Sequence, residues 1–187
     1  RAKTQGAENG LPRVGPVVMS EIMYKPSTGM AEFVELVNIT STNVLLYDPV
    51  HPTNLWQLSD AVDYTFPAGQ QIAAGARIIV CDTNPAVFRA QYGVAESIPV
   101  YGPWSGALNN AGESVRLRRP GDPELDGTVP YYRVDRVRYE PVAPWPEEAW
   151  LGGTSIERVT LEGYGNDPVN WQGSVSNGTA GVVVGNR

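Results

Sequence analysis

The sequence predicts an all-β sandwich of roughly eight to ten short strands with one short helix. Three observations predict it. Gly (20) and Pro (16) punctuate the 187 residues densely, so turns are frequent. Nine Tyr and five Trp sit beside β-branched runs, the residue types that suit a pleated, half-buried surface. The apolar runs are short and bounded by turn residues, whereas a helical stripe repeats every three to four positions over a longer window.

The elements follow in order. Residues 1–16, through Gly15-Pro16, are polar and broken by Gly and Pro, which predicts an N-terminal arm or linker, with one domain over 17–187. VVMSEIMY (Val17 to Tyr24) alternates as a strand and closes at Pro26 and a Ser-Thr-Gly turn. EFVELVN (Glu32 to Asn38) alternates more clearly, with Val34 and Leu36 on one face and Phe33, Glu35 and Val37 on the other. Short strands are expected at Asn43 to Tyr47, Leu55 to Ser59 and Val62 to Phe66. The turn at Pro67-Ala68-Gly69 and then Gly75 lead to the apolar strand Ala76 to Cys81. NPAVFRAQYG, with Pro85 at a first helical position and Gly93 as a stop, is the single expected helix. GALNNAGESVRL is expected to be a hairpin turning at Asn109, Asn110 and Gly112. After a loop over Pro120 to Gly127, YYRVDRVRY (Tyr131 to Tyr139) is a long strand. The last fifty or so residues contribute one strand, Thr154 to Val159, among loops.

Composition narrows the function classes. The net charge is −6 and the sequence pI about 4.8, so the surface repels a phosphate backbone and nucleic-acid binding is not expected. Basic residues do cluster at Arg116, Arg118 and Arg119 and at Arg133, Arg136 and Arg138. These read as solvated faces of two strands paired with nearby Asp and Glu. The single cysteine, Cys81, excludes an intrachain disulfide. No apolar run is long enough to span a bilayer. The chain starts at Arg and shows no signal peptide, which suggests a fragment or mature portion of a longer protein whose targeting signal lies outside it.

Taken in series, VVMSEIMY, EFVELVN, LWQLSD, YTFPAGQQIAAGARIIVCD, GPWSGALNNAGESVRL, DRVRY, PWP, GGTSIER and NDPVNWQGS with NGTAG resemble the lamin-tail domain, in particular its bacterial versions. The order of the pieces carries the resemblance; any one alone is weak. It covers Val17 to Gly181. It implies an immunoglobulin-like β-sandwich and, in bacteria, an accessory module of large exported or surface-associated proteins. It supplies no catalytic residue set. Glu147-Glu148-Ala149-Trp150 departs from the usual Asp-Gly-type loop, and Ala180 stands where Pro is common. These departures bear on loop-borne sites, not on the fold. No heptad segment accompanies the domain, so a filament role would need a coiled coil elsewhere.

The remaining chemistry is sparse. His51, the only histidine, lies in a Val-His-Pro-Thr loop and reads as an exposed loop residue rather than a general base. Cys81 ends an apolar run and reads as a buried small hydrophobe. Glu21 and Glu35 would face each other if the first two strands pair, and Asp60, Asp63 and Asp82 lie near strand ends. These oxygens could serve a calcium ion or an acid–base pair, or simply be solvated and paired with Lys25 and the arginine strands. No enzyme is expected and no cofactor is required, calcium being the one candidate. Trp104, Trp145 and Trp150 sit in loop contexts and are the candidate ligand-binding residues, as stacking faces for sugars or partner side chains. The alternative for each is a ring folded back to cap the sandwich. Trp56 and Trp171 are assigned to the core, and Asn38 and Asn177 begin N-glycosylation sequons. The expected function is a non-catalytic interaction or anchoring module of a larger exported or cell-surface protein, mediating protein–protein contact. The alternative is a carbohydrate-binding accessory module, with calcium and the loop tryptophans.

Overall fold

A computed structural model describes residues 13–175 and 177–182. In chain order the strands are β1 (Val17–Met23), β2 (Phe33–Asn38), β3 (Val44–Leu45), β4 (Gln57–Asp60), β5 (Val62–Thr65), β6 (Gln71–Ile72) and β7 (Arg77–Cys81). Helix α1 (Pro85–Tyr92) precedes β8 (Val100–Tyr101), β9 (Ser105–Gly106), β10 (Glu113–Pro120) and β11 (Tyr131–Tyr139). Helix α2 (Glu147–Leu151), β12 (Ile156–Arg158), a 3-10 turn (Pro168–Asn170) and β13 (Trp171–Gly173) complete it. Of the first arm, residues 1–12 lie outside the described residues.

Two sheets form the sandwich. One has six strands in the order β13-β12-β1-β2-β7-β8 and the other five in the order β11-β10-β4-β5-β9; a two-stranded ribbon, β3-β6, stands beside them. The fold is the expected immunoglobulin-like sandwich. The thirteen strands exceed the expected number because β3, β6, β8 and β9 have two residues each. A second short helix, α2, also appears where one helix was expected, and β13 adds a strand near the C-terminus.

The main core lies between the sheets. Val17, Met19, Ile22, Val34, Leu36, Ile78 and Val80 of the first sheet face Leu58, Val62, Val115, Leu117, Val137 and Tyr139 of the second. Tyr24 stacks on Tyr139 with ring centroids 4.3 Å apart. A smaller core lies on the outer side of the first sheet, where Phe88 of α1 packs edge-on against Phe33 at 5.4 Å among Met23, Ile79 and Cys81. Both faces of β1 and β2 are therefore covered, and every residue of these strands is buried. Helix α1 has the expected Pro at its start, with Asn84 Oδ1 accepting from Ala86 N at 2.9 Å and Gly93 ending it at φ 64°.

The expected hairpin does not form. The turn at Asn109 and Gly112 exists, but β9 pairs with β5 while β10 pairs with β4 and β11. Leu108, ahead of the turn, goes into the core and its N–H donates to Glu32 Oε2 at 2.8 Å, so the chain crosses the sandwich end instead of folding back.

Candidate functional site

Pairing of the first strands places Glu21 opposite Glu35, and β12 places Glu157 opposite Glu21, so three glutamates form one row across the sheet. They are at most 6 % exposed. The segment Thr179 to Gly181 lies over them and supplies donors. Gly181 N donates to Glu35 Oε2 at 2.8 Å, and Thr179 N to Glu21 Oε1 at 2.8 Å. Ser20 Oγ donates to Glu35 Oε1 at 2.6 Å, and Arg77 pairs with the same oxygen. Ser155 Oγ donates to Glu21 Oε1 at 2.5 Å, and Gln172 Nε2 to Glu157 Oε2 at 3.3 Å. The Thr179 hydroxyl bridges Glu21 Oε2, at 3.1 Å, and Glu157 Oε1. Burial pushes the Glu21 pKa up to about 7. A cavity of about 610 Å³ opens beside this row, lined among others by Arg77, Glu162 and Gln172.

The carboxylate oxygens are thus occupied by protein donors, and no group of three His, Cys, Asp or Glu with metal-holding geometry occurs among the described residues. The row works as a latch that ties the C-terminal segment to the sheet. The sequence points to Glu21 facing Glu35, but Glu157 and Thr179 join only through pairings more than a hundred residues apart, which no local pattern reports.

The outer face of the second sheet is of opposite character. Val115, Leu117, Val137 and Tyr139 point into the core, so their alternating neighbours on β10 and β11 point out. Arg116 is opposite Arg136, and Ser59 of β4 continues that rung. A bulge that skips Val134 brings Arg133 opposite Arg118, with Gln57 alongside. Arg138 pairs with Ser114. Five arginines therefore share one face of an acidic chain. Two have acidic partners: Arg116 with Asp60 at 3.1 Å and Arg138 with Glu140 at 3.5 Å. Arg136 Nε donates to Ser114 Oγ at 2.9 Å. Arg118 donates to Gln57 and lies 5.2 Å from the Tyr131 ring centroid. Arg118, Arg133 and Arg136 have no carboxylate within salt-bridge distance among the described residues. The expectation of strands paired with nearby acids holds for two of the six clustered arginines, since Arg119, opposite Tyr132, has no carboxylate within salt-bridge distance among the described residues either.

The candidate tryptophans lie apart from both faces. Trp104 and Trp145 are 6 % and 7 % exposed and belong to the main core, where Trp145 meets Trp171 at 6.2 Å. Neither ring offers a face to solvent. Trp150, on α2, is half-buried against the same core.

The lamin tail domain family matches residues 12–140, well over half of the chain. The chain belongs to that family. No curated protein matches it in sequence. The lamin tail domain is a non-catalytic, immunoglobulin-like fold that suggests protein interaction, and the sandwich agrees with it. The matched span ends before β12 and β13, yet both pair into the first sheet, and β12 carries Glu157.

The other candidates in this lamin tail domain have structural surroundings. The Cys81 thiol is buried, its pKa pushed up to about 11 by that burial, and Sγ lies 3.2 Å from both Thr83 O and Tyr101 O, either of which can accept its one proton. His51 lies in a loop, 3.0 Å from Asp48. Asn38 is fully buried and its amide donates to Thr42 O and Ile72 O, so the folded sequon presents no free acceptor nitrogen. No helix among the described residues is long and apolar enough to cross a membrane.

Proposed function

We propose that this lamin tail domain is a non-catalytic interaction and anchoring module of a larger exported or cell-surface protein, and that it meets a protein partner through the arginine face of β10 and β11. One observation carries the reading: Arg116 opposite Arg136 and Arg118 opposite Arg133. Like charges directly across a ladder disfavour the fold by a few tenths of a kcal/mol, up to about 1 kcal/mol. A chain with 20 acidic residues has ample means to pair them and does so for only part of the face. Local conflicts of this kind mark functional surfaces in otherwise consistent sequences.

The carboxylates give an enzyme reading little support, since protein donors occupy the Glu21, Glu35 and Glu157 oxygens. A carbohydrate reading rests on Trp150 alone among the candidate rings, because Trp104 and Trp145 lie in the core. The test is a comparative pull-down from envelope and surface proteins of the source. The expected result is a partner retained by the wild type and lost from a folded Arg116→Gln, Arg118→Gln, Arg136→Gln variant. Equal profiles for both, or glycan binding that disappears with Trp150→Ala, would turn the reading over.

A further inference from the structure

We infer that the partner segment taken by this face is an extended, acidic peptide with carboxylates at alternate positions; this rests on the interaction reading above and names its chemistry. The basic groups are all arginines, whose planar fork binds carboxylates two-pronged where an ammonium cannot. Their spacing is that of a strand. Arg116 and Arg118, and Arg136 and Arg138, each stand two residues apart on one face, about 7 Å along the strand. An extended peptide with acids at every second residue repeats at the same distance and can set a carboxylate at each rung. The acceptors on the face itself do not serve every donor: the Nε groups of Arg116 and Arg118 and the hydroxyl of Ser59 have no hydrogen-bond partner. Arg136 and Arg133 carry charge without a carboxylate beside them.

Charge on the rest of the molecule selects a short partner over a long polyanion. Five of the fourteen basic residues sit on this face, which leaves the remaining surface strongly acidic. A nucleic acid or a long sulfated chain would run off the arginines onto that surface within about one Debye length, ~8 Å at physiological salt. A segment of about five residues would not, because the arginines occupy three rungs, from Arg138 opposite Ser114 to Arg118 opposite Arg133.

The probe is a fluorescein-labelled peptide of alternating Glu and Ser, about six residues long at ~3.4 Å per residue, read by fluorescence anisotropy with the whole chain. Saturable binding is expected at about 50 mM salt and should weaken several-fold by about 300 mM. Arg116→Gln with Arg136→Gln should lose roughly tenfold in affinity, while Arg116→Lys with Arg136→Lys keeps the charge and loses less. An uncharged Gln–Ser peptide of equal length should not bind the wild type, a control that needs no folded variant. The inference is overturned by absent saturation at low salt, or by variants that melt like the wild type and bind equally. It is also overturned if a single-stranded oligonucleotide of equal charge binds more tightly with the same arginine dependence. A pull-down partner lost with the arginines, beside a peptide that fails to bind, sinks this chemistry and leaves the interaction reading. Failure of both sinks both.

Discussion

The Thr179 hydroxyl has one proton and two carboxylates to serve, Glu21 at 3.1 Å and Glu157 on its other side. It can donate to only one, so the other must bring a proton of its own. Glu21 is that residue: burial lifts its pKa from 4.5 to about 7, against the lowering effect of its bonds from Ser155 and Thr179. The protonated form is the one the fold favours, which fixes the sign of the pH dependence. Stability is fully present below about pH 4.5 and falls as pH rises through about 7, by an amount on the order of 3 kcal/mol at most. Glu32, half-buried and likewise raised to about 7 chiefly by burial, acts in the same direction with a smaller share because water reaches it. Urea unfolding at pH 5 and pH 8 should therefore show the domain weaker at pH 8. Glu21→Gln, which keeps two hydrogen-bonding heads and cannot ionise, should flatten most of that difference. A variant whose stability still falls as steeply with pH would show that the proton resides elsewhere. The sequence makes half of this site readable, because Glu21 and Glu35 lie in the first two strands. Glu157 and Thr179 come from pairings 136 and 158 residues away, which only the sheet order reveals.

Between the two sheets, β11 and β12 are joined by a buried ion pair that no periodicity announces. Asp135 of β11 accepts from Met19 N of β1 at 2.9 Å and from Arg158 Nη1 of β12 at 2.7 Å, while the Arg158 side chain is wholly buried over Trp171. The same bulge that skips Val134 and pairs Arg133 with Arg118 follows directly before Asp135. One irregularity thus shapes both the core tie and the outer face. Asp135→Ala would leave Arg158 charged and uncompensated in the core, costing about 3–5 kcal/mol by urea unfolding. Loss of under about 1 kcal/mol would mean that the tie is replaceable by water. Helix α1 shows the opposite case, an element legible in full. Its Pro, its Asn cap and its Gly stop are local signals, and the structure has all three where the sequence has them. Asn84→Ala should cost about 1 kcal/mol. Phe88→Ala should cost about 3–4 kcal/mol, because that ring fills the smaller core against Phe33 and Tyr92. The hairpin expected at Asn109 to Gly112 fails to form for the same reason that the ion pair is hidden from the sequence. Turn chemistry at Asn109 to Gly112 is local and correct, but which strand receives β10 depends on Leu108 and Glu32 at the sandwich end.

Across the whole molecule, acid and base are segregated. Acidic side chains are buried as a row on one sheet, and arginines stand in pairs on the outer face of the other. In the first, the like charges are relieved by donors to every glutamate and by the proton Glu21 holds below about pH 7; in the second, they are relieved only in part, by Asp60 and Glu140. That contrast is what the proposed binding face rests on, and a single substitution tests it. Arg136→Glu replaces a like pair across from Arg116 with an opposite one, at the loss of the Arg136–Ser114 hydrogen bond. Cross-strand pair energies of about 0.2–1 kcal/mol set the size of the gain. For a domain of this length the melting temperature should rise by roughly 1–3 °C. The same change reverses a charge at the centre of the arginine face, so affinity for the acidic peptide should fall by well over tenfold. Stability and binding would then move in opposite directions in one sample, measured by calorimetry and anisotropy. A domain that melts lower and binds as before would show that the arginines serve the fold, and that the partner lies on another surface.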